Sequence, residues 1–77
     1  MFTVTYVEQD GGMFMSHETC GYADRQQAEK RVRDFVQATC KTAPGLEVEK
    51  LDTDSWVLSD GEGYQILVWI AELETKQ

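Results

Sequence analysis

The sequence has little of the material from which catalytic sites and metal sites are built. Its 77 residues include one histidine, two cysteines and one proline. His17 and Cys20 form a single weak pair of metal-ligand types, whereas structural zinc sites bring their ligands together in two close pairs. Neither residue has a neighbour in the sequence that would complete a nucleophile and base constellation. We therefore expect no enzyme, no cofactor and no metal ion.

Long apolar runs are also missing. The chain has no run of apolar residues long enough to span a bilayer, which takes about 18 or more. The N-terminal Met-Phe-Thr-Val-Thr-Tyr lacks the basic region and the apolar block of a signal peptide. These absences predict a soluble cytoplasmic protein with no membrane partner, in which Cys20 and Cys40 are reduced thiols.

Cations are scarce and unevenly placed. Lys and Arg number 7 against 14 Asp and Glu, so the net charge is −7. Five of the seven cations fall between Arg25 and Lys41 beside two acids, which leaves twelve acids and two cations, a charge of −10, for the rest of the chain. Such a chain repels a polyanion at long range, which argues against direct nucleic-acid binding. The partner it favours is a protein with a basic surface, such as a nucleic-acid-binding protein or complex.

The periodicity of the apolar residues predicts the order of the elements. Alternation typical of strands covers residues 2–8, 13–18, 46–51, 55–59 and 64–73. Asp24 is a candidate helix N-cap, and apolar residues at helical spacing follow it until Pro44 ends the helix. We expect one α+β domain over 1–77 of order β-β-α-β-β-β, with a single helix packed on one face of an antiparallel sheet of about five strands. A polar, frayed tail is expected over 72–77.

The last predicted strand is apolar on both faces. Tyr64, Ile66 and Val68 form one row, and Leu67 and Trp69 begin the other. A strand of this kind belongs near the middle of a sheet. Because a single helix covers only one face, the second apolar row must be covered by something else.

Aromatic residues and carboxylates of the C-terminal half form the candidate binding surface. An aromatic anchor surrounded by charge is typical of protein-binding hot spots. The strand order could still place the two tryptophans on opposite faces, and solvated charges on turns and sheet edges are the plainer interpretation of the acids. The candidate residues are Glu47, Glu49, Asp52, Asp54, Trp56, Asp60, Glu62, Leu67 and Trp69.

Two classes of function are consistent with this pattern. The first is a non-enzymatic module that occupies a basic surface of a larger partner. In size, charge and predicted architecture the chain is similar to phage-encoded inhibitors of host machinery, including DNA mimics and anti-CRISPR proteins, although no motif identifies a family. The second is a self-associating structural or regulatory subunit that buries the helix-free sheet face in a homodimer.

Overall fold

The computed structural model describes residues 1–73 and contains five strands and one helix. In chain order these are β1 (Phe2–Asp10), β2 (Met13–Tyr22), α1 (Arg25–Thr42), β3 (Glu47–Asp52), β4 (Ser55–Ser59) and β5 (Tyr64–Glu72). The predicted α+β class and the order β-β-α-β-β-β are confirmed. No helix in the described part of the chain is long and apolar enough to cross a membrane.

The strands form one antiparallel sheet in the order β2-β1-β5-β4-β3. β5 is therefore the central strand, as its two apolar rows predict. It joins the hairpin formed by β1 and β2 to the hairpin formed by β3 and β4. The molecule measures 45 × 23 × 20 Å along its principal axes, which gives it an elongated shape.

The helix begins and ends where local chemistry requires. Asp24 is the N-cap, and its Oδ1 accepts a hydrogen bond of 2.9 Å from the backbone N–H of Gln27. At the C-terminus the N–H of Ala43 donates to Thr39 O at 2.8 Å, and the chain then turns at Pro44. α1 packs mainly on β1, β2 and β5.

The core lies between α1 and the three central strands. Val4, Leu58 and Val68 are its largest completely buried side chains. Phe35 packs on Tyr6 with ring centroids 4.2 Å apart, but it is only half-buried and lies at the border of the core. The remaining buried members are Tyr6, Ala28, Val32, Ile66 and Ile70.

The two predicted hairpin loops meet at one end of the sheet. Gly11 and Gly12 have φ values of 60° and 81°, and Gly61 and Gly63 have values of 76° and 107°. A side chain at these positions would strain the backbone. The N–H of Gly11 donates to Gly63 O at 3.0 Å, which ties the loop after β1 to the loop before β5.

Several boundaries differ from the prediction: β1 continues to Asp10, and β3 covers Glu47–Asp52. β2 continues to Tyr22 instead of ending at Glu18, because β1 pairs with it along its whole length as far as Phe2. Glu72 ends β5, and the N–H of Leu73 donates to Met1 O at 2.8 Å, so these two residues are held by the sheet and are not part of a frayed tail. The rest of the predicted tail, residues 74–77, lies outside the described residues.

Candidate functional site

The face of the sheet that points away from α1, here called the open face, carries no charge on its three central strands. Paired residues of antiparallel strands project from the same face, so the register assigns each side chain to a face. Eleven side chains of β1, β4 and β5 share the open face: Thr3, Thr5, Val7, Gln9, Ser55, Val57, Ser59, Gln65, Leu67, Trp69 and Ala71.

Trp69 and its neighbours form an apolar patch in the middle of this face. Trp69 pairs with Thr5, and Leu67 pairs with Val7 on one side and Val57 on the other. All five side chains are half-buried. Val7, Val57, Leu67 and Trp69 are here called the apolar centre, and no element of the described chain covers it.

Three carboxylates run along the β3 edge of the open face. Glu47 pairs with Ser59, and Glu49 lies two residues further along on the same side. A register shift between Lys50 and Asp52 brings Asp52 to this side as well. All three carboxylates are exposed, and they are here called the acidic border.

Asp52 is held in its charged form by the turn that follows it. The backbone N–H of Asp54 donates to Asp52 Oδ1 at 2.7 Å. This hydrogen bond, together with one from Ser55, lowers the pKa of Asp52 below its ordinary value. These hydrogen bonds therefore favour the charged form of this member of the acidic border.

Trp56 and Asp54 belong to the other side of the sheet. Trp56 pairs with Val68, which is buried under α1. Asp54 accepts a hydrogen bond from the guanidinium of Arg25, and this bond raises the pKa of Arg25. β4 and β5 pair in a register that sends Trp56 and Trp69 to opposite faces, which is the arrangement that the sequence left open as an alternative. Trp56 is therefore not part of the surface that contains Trp69.

Asp60 and Glu62 lie in the loop between β4 and β5, at one end of the sheet. Asp60 Oδ1 accepts hydrogen bonds from the N–H groups of Glu62 and Tyr64 at 2.7 and 3.2 Å. Asp60 thus shapes the hairpin loop. Of the nine residues predicted for the site, five share the open face: Glu47, Glu49, Asp52, Leu67 and Trp69.

The open face includes residues beyond those predicted for the site. Val7 and Val57 complete the apolar centre. The sequence does carry a signal for both, because each alternates along its strand with residues that point toward the helix. Phe14 pairs with Gln9 beyond a bulge in β2 and is 58% exposed, so it extends this face toward the hairpin tip. Its ring lies 5.7 Å from that of His17. The bulge that brings Phe14 to this side leaves no local signal in the sequence.

The titratable groups with the clearest pKa shifts lie on the helix side. The hydroxyl of Tyr64 donates to Glu8, and this bond raises the pKa of Tyr64 to about 12. Burial raises the pKa of Tyr6 to about 12 as well. Cys20 Sγ donates to Glu18 Oε1 at 3.4 Å, which raises the pKa of that thiol.

Other potential reactive groups lie apart from one another. Cys20 and Cys40 are both free thiols, and Cys40 packs against the core. Within residues 1–73, no three His, Cys, Asp or Glu side chains come together as a group that could hold a metal ion.

Comparison with known proteins finds no family model, no curated relative and no solved structure that matches this chain.

Proposed function

We propose that this chain is a non-enzymatic binding module that docks its open face on a basic surface of a larger protein. The observation that carries the proposal is the arrangement of that face, in which eleven uncharged side chains are bordered by the exposed carboxylates of β3. Protein interfaces share this anatomy, with a charge-depleted centre and a polar rim. Trp69 at the centre is the residue type that most often dominates such an interface.

The charge of the chain supports a basic partner. The net charge is −7, and the acidic border places Glu47, Glu49 and Asp52 where they would meet the rim of a docked surface. Complementary charge of this kind accelerates encounter and selects against acidic partners. The chain would then occupy a surface that otherwise holds nucleic acid, without contacting nucleic acid itself.

Inhibition is the biological role that fits such occupation. Small size, net negative charge and a single domain are shared with phage-encoded inhibitors of host machinery, such as DNA mimics and anti-CRISPR proteins. We therefore propose that the chain inhibits a cytoplasmic nucleic-acid-binding complex.

Affinity capture with matched variants tests the proposal. The first variant, Trp69→Ala with Glu47→Lys and Glu49→Lys, removes the anchor and reverses two charges of the acidic border. The control, Asp10→Lys with Glu62→Lys, makes the same charge change in exposed residues near the loops. We expect the control to retain the proteins that the parent captures and the face variant to lose them, with unchanged circular dichroism. Equal capture by the folded face variant would refute the site.

Self-association is the second candidate, and the register of the open face favours one geometry for it. A two-fold axis above β5 and parallel to the strands would place β2 of one copy over β3 of the other. The strand register aligns five residues across the sheet, in the order His17, Val7, Leu67, Val57 and Glu49. The two-fold axis would therefore bring His17 of one copy opposite Glu49 of the second copy. Sedimentation separates the candidates: a stable dimer favours self-association, and a monomer favours the basic partner.

A further inference from the structure

A second surface lies on the helix side of the sheet, between α1 and β3. It is a groove of about 550 Å³ whose floor includes Val32, Val36, Val48 and Trp56. Val48 projects to the helix side, because it pairs with the buried Leu58, yet it is 43% exposed. α1 packs mainly on β1, β2 and β5, so it leaves the helix side of β3 open.

The rim of this groove carries two cations that have no carboxylate partner among the described residues. Arg33 and Lys50 line the groove, and neither forms an ion pair within residues 1–73. Lys50 Nζ lies 5.9 Å from the centroid of the Trp56 ring. Arg25, by contrast, is paired with both Glu29 and Asp54. An apolar floor beside unpaired cations favours a ligand that is apolar at one point and acidic at another.

The strand next to the groove also has a free hydrogen-bonding edge. In the described part of the chain β3 pairs only with β4, at one end of the sheet order. Its side chains alternate, with Val48 and Lys50 on the helix side and Glu47 and Glu49 on the open face. A strand added beside β3 would place alternate side chains over the groove and over the acidic border.

We propose that β3 and the groove bind an extended segment of a partner protein as an added antiparallel strand. The register defines the segment by charge: an acidic residue opposite Lys50, a basic one opposite Glu49, an apolar one opposite Val48 and a basic one opposite Glu47. Opposite charges and apolar pairs at facing positions stabilise an antiparallel pair. This goes beyond the proposed function, which uses the open face and does not require an added strand.

A second copy of the chain does not fit this edge. Both open-face residues in the first half of β3 are glutamates, Glu47 and Glu49. Antiparallel pairing of two β3 strands around Val48 or Glu49 would set glutamates directly opposite each other. Facing like charges destabilise a strand pair. The occupant is therefore a foreign segment with basic residues at these positions.

A synthetic peptide tests the recognition pattern directly. The probe carries the core Glu-Lys-Phe-Lys between short threonine flanks and a fluorescent label. The control peptide carries Lys-Glu-Phe-Glu in the same flanks, which keeps the apolar residue and reverses every charge. Fluorescence anisotropy measures binding to the full chain. We expect saturable binding of the first peptide and association of the second that is weaker by about tenfold or more.

Variants on the helix side locate the site. Arg33→Glu and Lys50→Glu should each weaken binding of the probe by about five- to tenfold, because an attraction at the rim becomes a repulsion. Lys41→Glu makes the same charge change outside the groove and should leave binding unchanged. Trp69→Ala on the open face should also leave it unchanged, so failure of this proposal and failure of the proposed function are distinguishable.

Hydrogen exchange reports the added strand itself. The β3 amides that point away from β4 should exchange more slowly when the probe is bound, because each gains a backbone acceptor. The proposal is overturned by unchanged exchange at these amides, by equal affinity for the two peptides, or by no saturable binding up to roughly 1 mM, the limit of a weak specific complex.

Discussion

Trp56 and Trp69 lie on neighbouring strands of one sheet but project from opposite faces. Ser55 is the partner of Trp69, and Trp56 is the partner of Val68. Trp56 lines the groove beside α1, whereas Trp69 lies in the apolar centre of the open face. Each tryptophan therefore reports on one surface only. Emission from Trp56 in a Trp69→Phe background would follow events in the groove, and the converse variant would follow the open face.

Association through the open face should depend strongly on salt. The acidic border is exposed, and screening limits its field to about 8–10 Å at physiological ionic strength. We expect the association rate with a basic partner to fall steeply as salt rises, while the dissociation rate changes little. Stopped-flow or surface-based kinetics at several salt concentrations would measure this. An association rate that is the same at low and high salt would remove the electrostatic argument.

Leu58 should contribute more to stability than Phe35. Leu58 is completely buried, so Leu58→Ala should lower the free energy of unfolding by about 3–5 kcal/mol. Phe35→Ala should cost less, about 2–3 kcal/mol, because Phe35 is half-buried and mainly loses its packing on Tyr6. Urea unfolding of both variants gives the comparison. If Phe35→Ala lost more unfolding free energy than Leu58→Ala, the helix would pack on the sheet more tightly than the half-buried position of Phe35 indicates.

Alkaline solution should destabilise the fold. The bond to Glu8 raises the pKa of Tyr64 from 10.0 to about 12, so the folded chain holds this proton more tightly than the unfolded chain does. The contribution of the bond is complete below about pH 10 and is lost as the pH rises through about 12. Burial raises the pKa of Tyr6 to about 12 as well, so ionisation of Tyr6 destabilises the fold in the same pH range. Melting temperature should therefore fall across this window.

The variant Tyr64→Phe isolates the part that belongs to the Glu8 bond. Its melting temperature should fall less steeply above pH 10 than that of the parent. Ionisation of Tyr64 and of Tyr6 both contribute to the fall in the parent, and only that of Tyr6 contributes in the variant. An identical slope in the two proteins would show that the Tyr64 proton is not coupled to folding.

Cys20 should react slowly with alkylating reagents. Its thiol donates to Glu18, which raises its pKa and lowers the thiolate fraction at neutral pH. In a Cys40→Ser background, Glu18→Gln should speed the reaction with iodoacetamide, since the acceptor charge is gone. Ser16→Ala, on the same strand, is a suitable control and should leave the rate unchanged. A rate that does not respond to Glu18→Gln would contradict the hydrogen bond.

The local pattern of the sequence determined the identity and order of the elements. Alternation with period two and helical spacing after Asp24 are properties of short segments, so they predict β-β-α-β-β-β without knowledge of the fold. The central place of β5 was also predictable, because its Ile66 and Leu67 rows are both apolar and need cover on both faces. The grouping of the candidate residues was predicted in part, because Leu67, Trp69 and the carboxylates of β3 do share one face.

The tertiary structure alone decided which rows share a surface. Alternation groups residues within a strand, but it does not say which of the two rows turns toward the helix. That choice comes from the pairing of distant strands, such as Val7 with Leu67, and from the packing of α1 on one side. The pairing of β4 with β5 places Trp56 and Trp69 on opposite faces. Single-residue bulges also decide which face a side chain occupies, because one extra residue reverses the alternation between the two sides of the bulge, as at Phe14 and Asp52.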